Sequence, residues 1–358
     1  MADGVPLKSD AVFRLASLTK PIAAAAALTL VDEGAISLDD PIAEYLPEFG
    51  AMQKLEADWL VQLGGWKTRR RLHTYLSFFD PYKTAPAERP ITVRHLLSQQ
   101  GGVAGVAGEP LAFKVREASK ENHGDLTLEA AVKKLAEVPL LFEPGDGWFY
   151  GEGYEIIGRL IEAVSGKPLG DLLQERIFSP LGMVDSTFFL QATDRLPTAY
   201  LTSEPGKLTP LTGFWGAGWT RRPQDYLSAG WGLNGTAEDY SRFCRMLLQG
   251  GELDGTRVLS EALTHEMTSN QIGDRTLGGD LDDFGYGFGL RVRKREAAPQ
   301  RRSSPGSWGW YGHIGTYFWG DPEQGVAGVI LTQKIDGDTR LEAEFQSLVR
   351  EMLSDANP

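Results

Sequence analysis

The sequence predicts an α+β fold, an α/β sandwich whose antiparallel sheet is flanked by helices and joined to a mostly helical region. Two observations lead there. Helix-like segments run through the middle of the chain. Near the C-terminus, two strand-like runs joined by a turn precede an amphipathic helix. On this reading residues 1–50 and 225–358 build the sheet region, and residues 51–224 build the helical one. A chain of 358 residues is long enough to bury a sizeable core in one large domain or two smaller ones. No repeat is visible at any period, which removes solenoid architectures.

Each element has its own signal. Thr19–Glu33 is an alanine-rich stretch that reads as a core helix, ended by Gly34. Ser37-Leu38-Asp39-Asp40-Pro41 reads as a turn that opens a short helix over Ile42–Leu46. Thr92 is placed to cap a helix running through Leu97. Within Tyr154–Ser165, positions 156, 157, 160, 161 and 164 are apolar, and Gly166 and Pro168 mark the stop. Thr193–Arg222, rich in Pro, Gly, Thr and Trp, lacks periodicity and is expected to form long loops beside a cleft. Ala237–Gln249 is helical. Gly315–Gly320 and Val326–Gln333 are strands joined through Asp321-Pro322-Glu323-Gln324-Gly325, and Thr339–Leu353 is the closing helix.

Composition excludes several function classes. With 36 basic and 48 acidic side chains the net charge is −12, which disfavours a nucleic-acid partner. The densest basic runs, Arg69-Arg70-Arg71 and Arg301-Arg302, read as solvated loops. Cys244 is the sole cysteine, so there is no intrachain disulfide and no Cys-rich zinc site, and it is expected as a small buried residue. His73, His95, His123 and His265 have no metal-ligand spacing, and no metal is expected. Ile22–Val31 is too short to cross a bilayer, so no membrane insertion is expected. No signal peptide is visible, and a cytoplasmic location is expected.

The chemistry begins at Ser17-Leu18-Thr19-Lys20. Residues three apart on a helix share a face, and a serine hydroxyl becomes a nucleophile only when a neighbouring base takes its proton. Lysine serves as that base only where burial or positive charge weakens its hold on the proton. The helix N-terminus also favours an oxyanion. Alone this tetrapeptide is weak, because a cap followed by a surface lysine gives the same letters.

Its context is more specific. Phe13 to Pro21 leads into the alanine-rich helix and Asp32-Glu33-Gly34-Ala35-Ile36-Ser37-Leu38-Asp39-Asp40-Pro41. Further blocks follow in order: Ile91 to Gly102, Phe142-Glu143-Pro144-Gly145 through Tyr150, Gly153 to Gly158, Gly182-Met183, and Gly230 to Asp239. Together they resemble the penicillin-binding protein and class C β-lactamase superfamily, including its family VIII carboxylesterases. The resemblance implies Ser17 as acylated nucleophile, Lys20 and Tyr150 as the groups that move its proton, and a structural role for His95. Where the family has Tyr-x-Asn, this chain has Tyr150-Gly151-Glu152. Esterases of the family commonly lack that Asn, so Glu152 in the substrate-binding position points away from a β-lactamase.

The family's third motif is Lys-Thr-Gly, His-x-Gly or Trp-x-Gly on a strand beside the nucleophile. Two alignments fit, His313-Ile314-Gly315 and Trp310-Tyr311-Gly312. The first is favoured because strand-like residues 316–319 and the Asp321-Pro322 turn follow it. It implies an oxyanion hole of the Ser17 and Thr316 amides, with Gly315 allowing close approach and His313 a donor at the pocket wall. The resemblance also implies a helix and two strands before Ser-x-x-Lys. Only residues 1–16 precede Ser17, so a misplaced start, a missing piece or a differently completed sheet is expected.

No Gly-x-Ser-x-Gly elbow supports an α/β-hydrolase, and no cofactor is implied. The expected activity is a carboxylesterase acting on a small-molecule ester or amide. Trp215, Trp219, Trp231 and Trp310 suggest an apolar acyl or aromatic alcohol group, or simply packing. The alternatives are a β-lactamase, a D-stereospecific peptidase, an acyltransferase, and a non-catalytic penicillin-binding domain. Oligomeric state is not legible.

Overall fold

A computed structural model describes residues 6–56, 83–105, 127–190, 192, 194–204, 207–212, 226–294, 303–335 and 340–356. Arg69-Arg70-Arg71, His73, His123, Trp215, Trp219 and Arg301-Arg302 lie outside the described residues. In chain order, a short strand β1 (Phe13–Arg14) leads into helix α1 (Thr19–Asp32). The ribbon β2 (Gln53–Leu55) and β3 (Thr84–Pro86) precedes α2 (Val93–Leu97), α3 (Leu128–Leu135), α4 (Gly153–Ser165) and α5 (Leu169–Leu173). Then come β4 (Tyr200–Glu204), β5 (Lys207–Pro210), β6 (Asn234–Gly235) and α6 (Ala237–Leu248). The ribbon β7 (Glu252–Leu253) and β8 (Thr256–Arg257) leads to α7 (Glu261–Thr268). The chain closes with β9 (Phe284–Tyr286), β10 (Arg291–Arg293), β11 (Trp308–Gly312), β12 (Thr316–Asp321), β13 (Val326–Leu331), β14 (Lys334–Ile335) and α8 (Arg340–Ala356).

Helix α1 is the pivot. From Thr19 through Leu30 every residue is buried, with five consecutive alanines fully so. Alanine has the highest helix propensity and the smallest side chain, so this helix can be surrounded without being held apart from its neighbours. Helix α4 packs on it. Its end is a Schellman motif: Gly34, at φ 71°, donates to Val31 O at 2.9 Å, and Ala35 donates to Leu30 O at 3.0 Å. Helix α4 also stops at a left-handed glycine, Gly166 at φ 66°, but through a single bond from its amide to Glu162 O at 2.9 Å.

β9 to β13 form a five-stranded antiparallel sheet in the order β13-β12-β11-β10-β9. Alternation along β12 sends Phe318 to one face, where it meets Tyr240 of α6 at 5.1 Å between ring centroids. Trp319 goes to the other face, against Phe345 of α8 at 5.2 Å. The sheet is therefore covered on both sides, giving the α+β sandwich the pattern predicts. β13 is an edge strand among the described residues, with every position half-buried. No helix among the described residues is long and apolar enough to cross a membrane.

Two local expectations need correction. The Thr193–Arg222 stretch, expected as loops, contains the β4–β5 hairpin, and β14 pairs parallel to β4. Its signal is short, with Leu201-Thr202 and Leu208-Thr209 flanking a Pro-Gly dipeptide in the sequence, and it is diluted by the Trp- and Gly-rich residues after it. Ile42–Glu44 is a single 3₁₀ turn instead of a helix through Leu46. The Thr92 cap is a full capping box: its hydroxyl accepts from the His95 amide at 3.2 Å, and its own amide donates to His95 Nδ1 at 3.3 Å. Cys244 is fully buried in α6, and burial pushes its thiol well up.

Two tryptophans of the sheet lie across glycines of the next strand. Trp308 pairs with Gly320 and Trp319 with Gly328, and a Cβ on Gly328 would fall 1.9 Å from the Trp319 ring. Gly328→Ala must therefore move Trp319 off its seat against α8. We expect a loss of about 1–3 kcal/mol, read as a lower Tm with altered tryptophan emission. An unchanged Tm would show that the ring can shift freely.

Candidate active site

Ser17 sits in a 3₁₀ turn, Ala16–Leu18, immediately before α1. The turn is held on several sides. Leu15 N donates to Leu233 O, Thr19 Oγ1 to Ala16 O at 2.7 Å, Tyr240 Oη to Leu18 O at 2.8 Å, and Thr316 Oγ1 to Leu15 O at 2.9 Å. Ala16 adopts φ 49°, a left-handed conformation that costs a non-glycine residue energy. It is buried against Ile314, Ala199 and Ile335, so the surrounding packing fixes the strained residue next to the nucleophile.

One helical turn on, Lys20 is 5% exposed. Its ammonium donates to Gly230 O at 2.7 Å and to Ser17 Oγ at 3.3 Å. It also stands 4.7 Å above the Tyr150 ring and 5.9 Å from the Tyr154 ring. Tyr150, far along the sequence, is thus brought to the neighbouring pair Ser17 and Lys20.

Tyr150 precedes α4 on a segment clamped by Gln99. The Gln99 side-chain oxygen accepts from Gly151 N at 3.2 Å, and its amide nitrogen faces Gly151 O at 3.5 Å. Gln99 is itself at φ 61° and buried. Gly151 has to be glycine, since a Cβ there would lie 2.1 Å from Val103 O. The Tyr150 hydroxyl accepts a hydrogen bond from the Trp310 indole at 3.1 Å, with ring centroids 5.2 Å apart. Glu152, half-buried, follows at the N-terminus of α4, its amide donating to Ala104 O.

The two candidate triplets fall on different sides of a hairpin. Trp310, Tyr311 and Gly312 lie on β11, and Gly312 lies against the nucleophile's turn, where a Cβ would come 2.7 Å from Leu15 O and 3.2 Å from Ala16 Cβ. Gly315, at φ 78°, belongs to the turn and lies against Thr332 and Lys334 instead. Thr316 opens β12 opposite Gly312, fully buried, and props Leu15 from behind. His313 is exposed in the turn. Trp310 therefore reaches Tyr150, and Gly312 and Thr316 reach the residues just before Ser17, whereas Gly315 does neither.

Sequence reasoning missed Glu155. It is 1% exposed, and its Oε1 accepts from Ser228 Oγ at 2.5 Å and from Gly230 N at 3.2 Å, the residue whose carbonyl holds Lys20. Burial, reinforced by the Glu152 charge, pushes this carboxyl from 4.5 up to about 7, against hydrogen bonds from Ser228 and Tyr226 and the pull of Lys20. An acidic residue beside the buried Ile156 and Ile157 of an otherwise apolar helix face was the available signal. Gln99 and Gly312 were within quoted blocks, but nothing local marked their contacts. Among the described residues no cluster of His, Cys, Asp or Glu is arranged to hold a metal.

Comparison with known proteins gives a consistent setting. Residues 1–350 match the Beta-lactamase family. Protein Rv1367c of Mycobacterium tuberculosis is 32% identical over 350 residues, covering 92% of this chain and 79% of that one. Esterase EstB of Burkholderia gladioli is 29% identical over 348 residues, with coverage of 92% and 79%. Among solved structures, EstCE1, described as a hydrolase with promiscuous acyltransferase activity, superposes with a TM-score of 0.75 at 24% identity. It covers 97% of this chain and 86% of its own.

The raised Glu155 carboxyl has a consequence for stability. The folded state binds this proton more tightly than the unfolded chain does. Its contribution is therefore complete below about pH 4.5 and is lost as pH rises through about 7. Relative to Glu155→Gln, the wild type should lose on the order of 3 kcal/mol of unfolding free energy across that window. Denaturant titrations of both proteins at pH 4.5 and 7.5 measure it, and parallel curves would contradict the assignment.

Proposed function

The chain belongs to the beta-lactamase family and is an enzyme of the serine-hydrolase kind, and from that premise we propose that it is a carboxylesterase acylated on Ser17. The observation that carries this reading is the convergence of the Ser17 hydroxyl, the Lys20 ammonium and the Tyr150 ring, with the Tyr150 oxygen tied to Trp310. Ser17 Oγ attacks the ester carbonyl while its proton passes to the Tyr150 oxygen, with Lys20 holding Ser17 Oγ in place and the Trp310 N–H donating to the Tyr150 oxygen. The tetrahedral oxyanion is held by backbone amides. The position of Gly312 against Ala16 supports the Trp310-Tyr311-Gly312 alignment, so the amide after that glycine, that of His313, replaces Thr316 as partner to the Ser17 amide. The alcohol leaves with the returned proton, and water then releases the acid.

Glu152, in place of an amide side chain, favours esters over β-lactams. The 29% identity to an esterase across most of both chains points the same way. The buried rings of Trp310 and Tyr286, 5.1 Å apart beside Tyr150, and the half-buried Tyr226 and Trp231 favour an apolar small-molecule ester. A helical region spanning residues 51–224, separate from a sheet region built by 1–50 and 225–358, and a cytoplasmic location remain part of the same proposal.

Short p-nitrophenyl esters and a chromogenic cephalosporin test it. Wild type should turn over the esters and barely the cephalosporin, and Ser17→Ala should lose at least about a thousandfold of ester turnover. Turnover that survives in Ser17→Ala removes the nucleophile, and rapid cephalosporin hydrolysis moves the chain to the β-lactamases. Trp310→Phe keeps the ring and deletes the donor to Tyr150. It should lower kcat by about ten- to a hundredfold with little change in KM. An unchanged kcat would mean the indole only packs.

A further inference from the structure

Behind Lys20 lies a second charged group that the acylation chemistry above does not use. Lys20 Nζ donates to Gly230 O at 2.7 Å, and Gly230 N donates to Glu155 Oε1 at 3.2 Å, so one peptide segment joins the two side chains. A Cβ on Gly230 would lie 2.6 Å from Glu155 Oε1 and 3.5 Å from Lys20 Nζ, so carboxyl and ammonium press on the same side of this glycine. The turn is tied further by Ser228. Its Oγ donates to Glu155 at 2.5 Å and accepts from Trp231 N at 3.1 Å, while Ser228 O accepts from Gly232 N at 3.0 Å.

We propose that Glu155 is a positioning residue for acylation, anchoring the Ser228–Gly232 turn so that the Gly230 carbonyl meets Lys20, with its ionisation felt at Lys20 across that glycine. The inference rests on the proposed nucleophilic role of Ser17. The groups facing Glu155 are Lys20 of α1, Glu152 at the start of its own helix, and Tyr226 ahead of the turn. Tyr150 and Tyr154 flank Lys20. A carboxyl raised to about 7 in this place changes charge near neutrality, where an esterase works. A charge this close to an ammonium in a buried site interacts far more strongly than one in water.

The test reads the rate at which Ser17 is phosphonylated by a fluorophosphonate probe from pH 5 to 10. In wild type the rate should inflect near pH 7. Glu155→Gln, which keeps an oxygen acceptor for Ser228 and Gly230, should lose that inflection. Ser228→Ala leaves the carboxyl in place and deletes a hydrogen bond that favours its ionised form, so it should move the inflection to higher pH. This second variant keeps the test decisive should Glu155→Gln not fold. A uniformly slower rate with an unchanged profile, or an inflection unmoved in both variants, overturns the inference. A wild type that takes the probe but hydrolyses no ester loses the esterase reading and leaves this one standing. A wild type that never reacts at Ser17 removes both.

Discussion

A lysine that is 5% exposed needs partners for its ammonium, and much of the structure around the site follows from supplying them to Lys20. One partner is the serine a helical turn earlier, one is a carbonyl more than two hundred residues later, and one is the face of an aromatic ring. Because these come from the 3₁₀ turn before α1, from the Ser228–Gly232 turn and from the segment before α4, satisfying one cation brings separate stretches of chain into register. The alanines of α1 make this possible. They let neighbouring elements close on the helix from every side, and that is what buries the lysine.

Around this cation the protein arranges rigidity in steps. Ala16 and Gln99 both hold left-handed backbone conformations although neither is glycine, one beside the nucleophile and one clamping the residue after Tyr150. Such residues persist only where packing and hydrogen bonds over-determine them. Here the over-determination is visible: Leu15, Ala16 and Leu18 donate to or accept from four different segments, and Gly151 is pinned against Val103. Strain near the nucleophile and near the tyrosine is thus balanced by the same core that buries Lys20.

How far the sequence revealed this depended on distance along the chain. Ser17 and Lys20 were readable as a pair because three residues on a helix share a face, a local rule. The helix of 19–32 was readable from its alanine-rich run and that of 153–165 from the spacing of its apolar residues, each with a glycine stop. Tyr150 was reachable only through resemblance, since nothing within its own neighbourhood, Trp148-Phe149-Tyr150, distinguishes it from packing. The strand motif was ambiguous for a geometric reason: Gly312 and Gly315 are three apart around a hairpin turn, and both triplets end in glycine. Only the register of β11 against β12 separates the glycine beside Ala16 from the one beside Thr332. Glu155 and Gln99 act through contacts 75 and 52 residues away, which no local pattern encodes. The β4–β5 hairpin was missed because strands of five and four residues beside a Trp- and Gly-rich stretch leave too little alternation to see.

The bond between Trp310 and Tyr150 has a further meaning. Trp308, Trp310 and Trp319 are the tryptophans of β11 and β12. Two of them lie across glycines of the sheet, and Trp310 alone touches the phenol of the site. That single bond ties the sheet to the site, so any slip of β11 against its neighbours would carry the Tyr150 donor away with it.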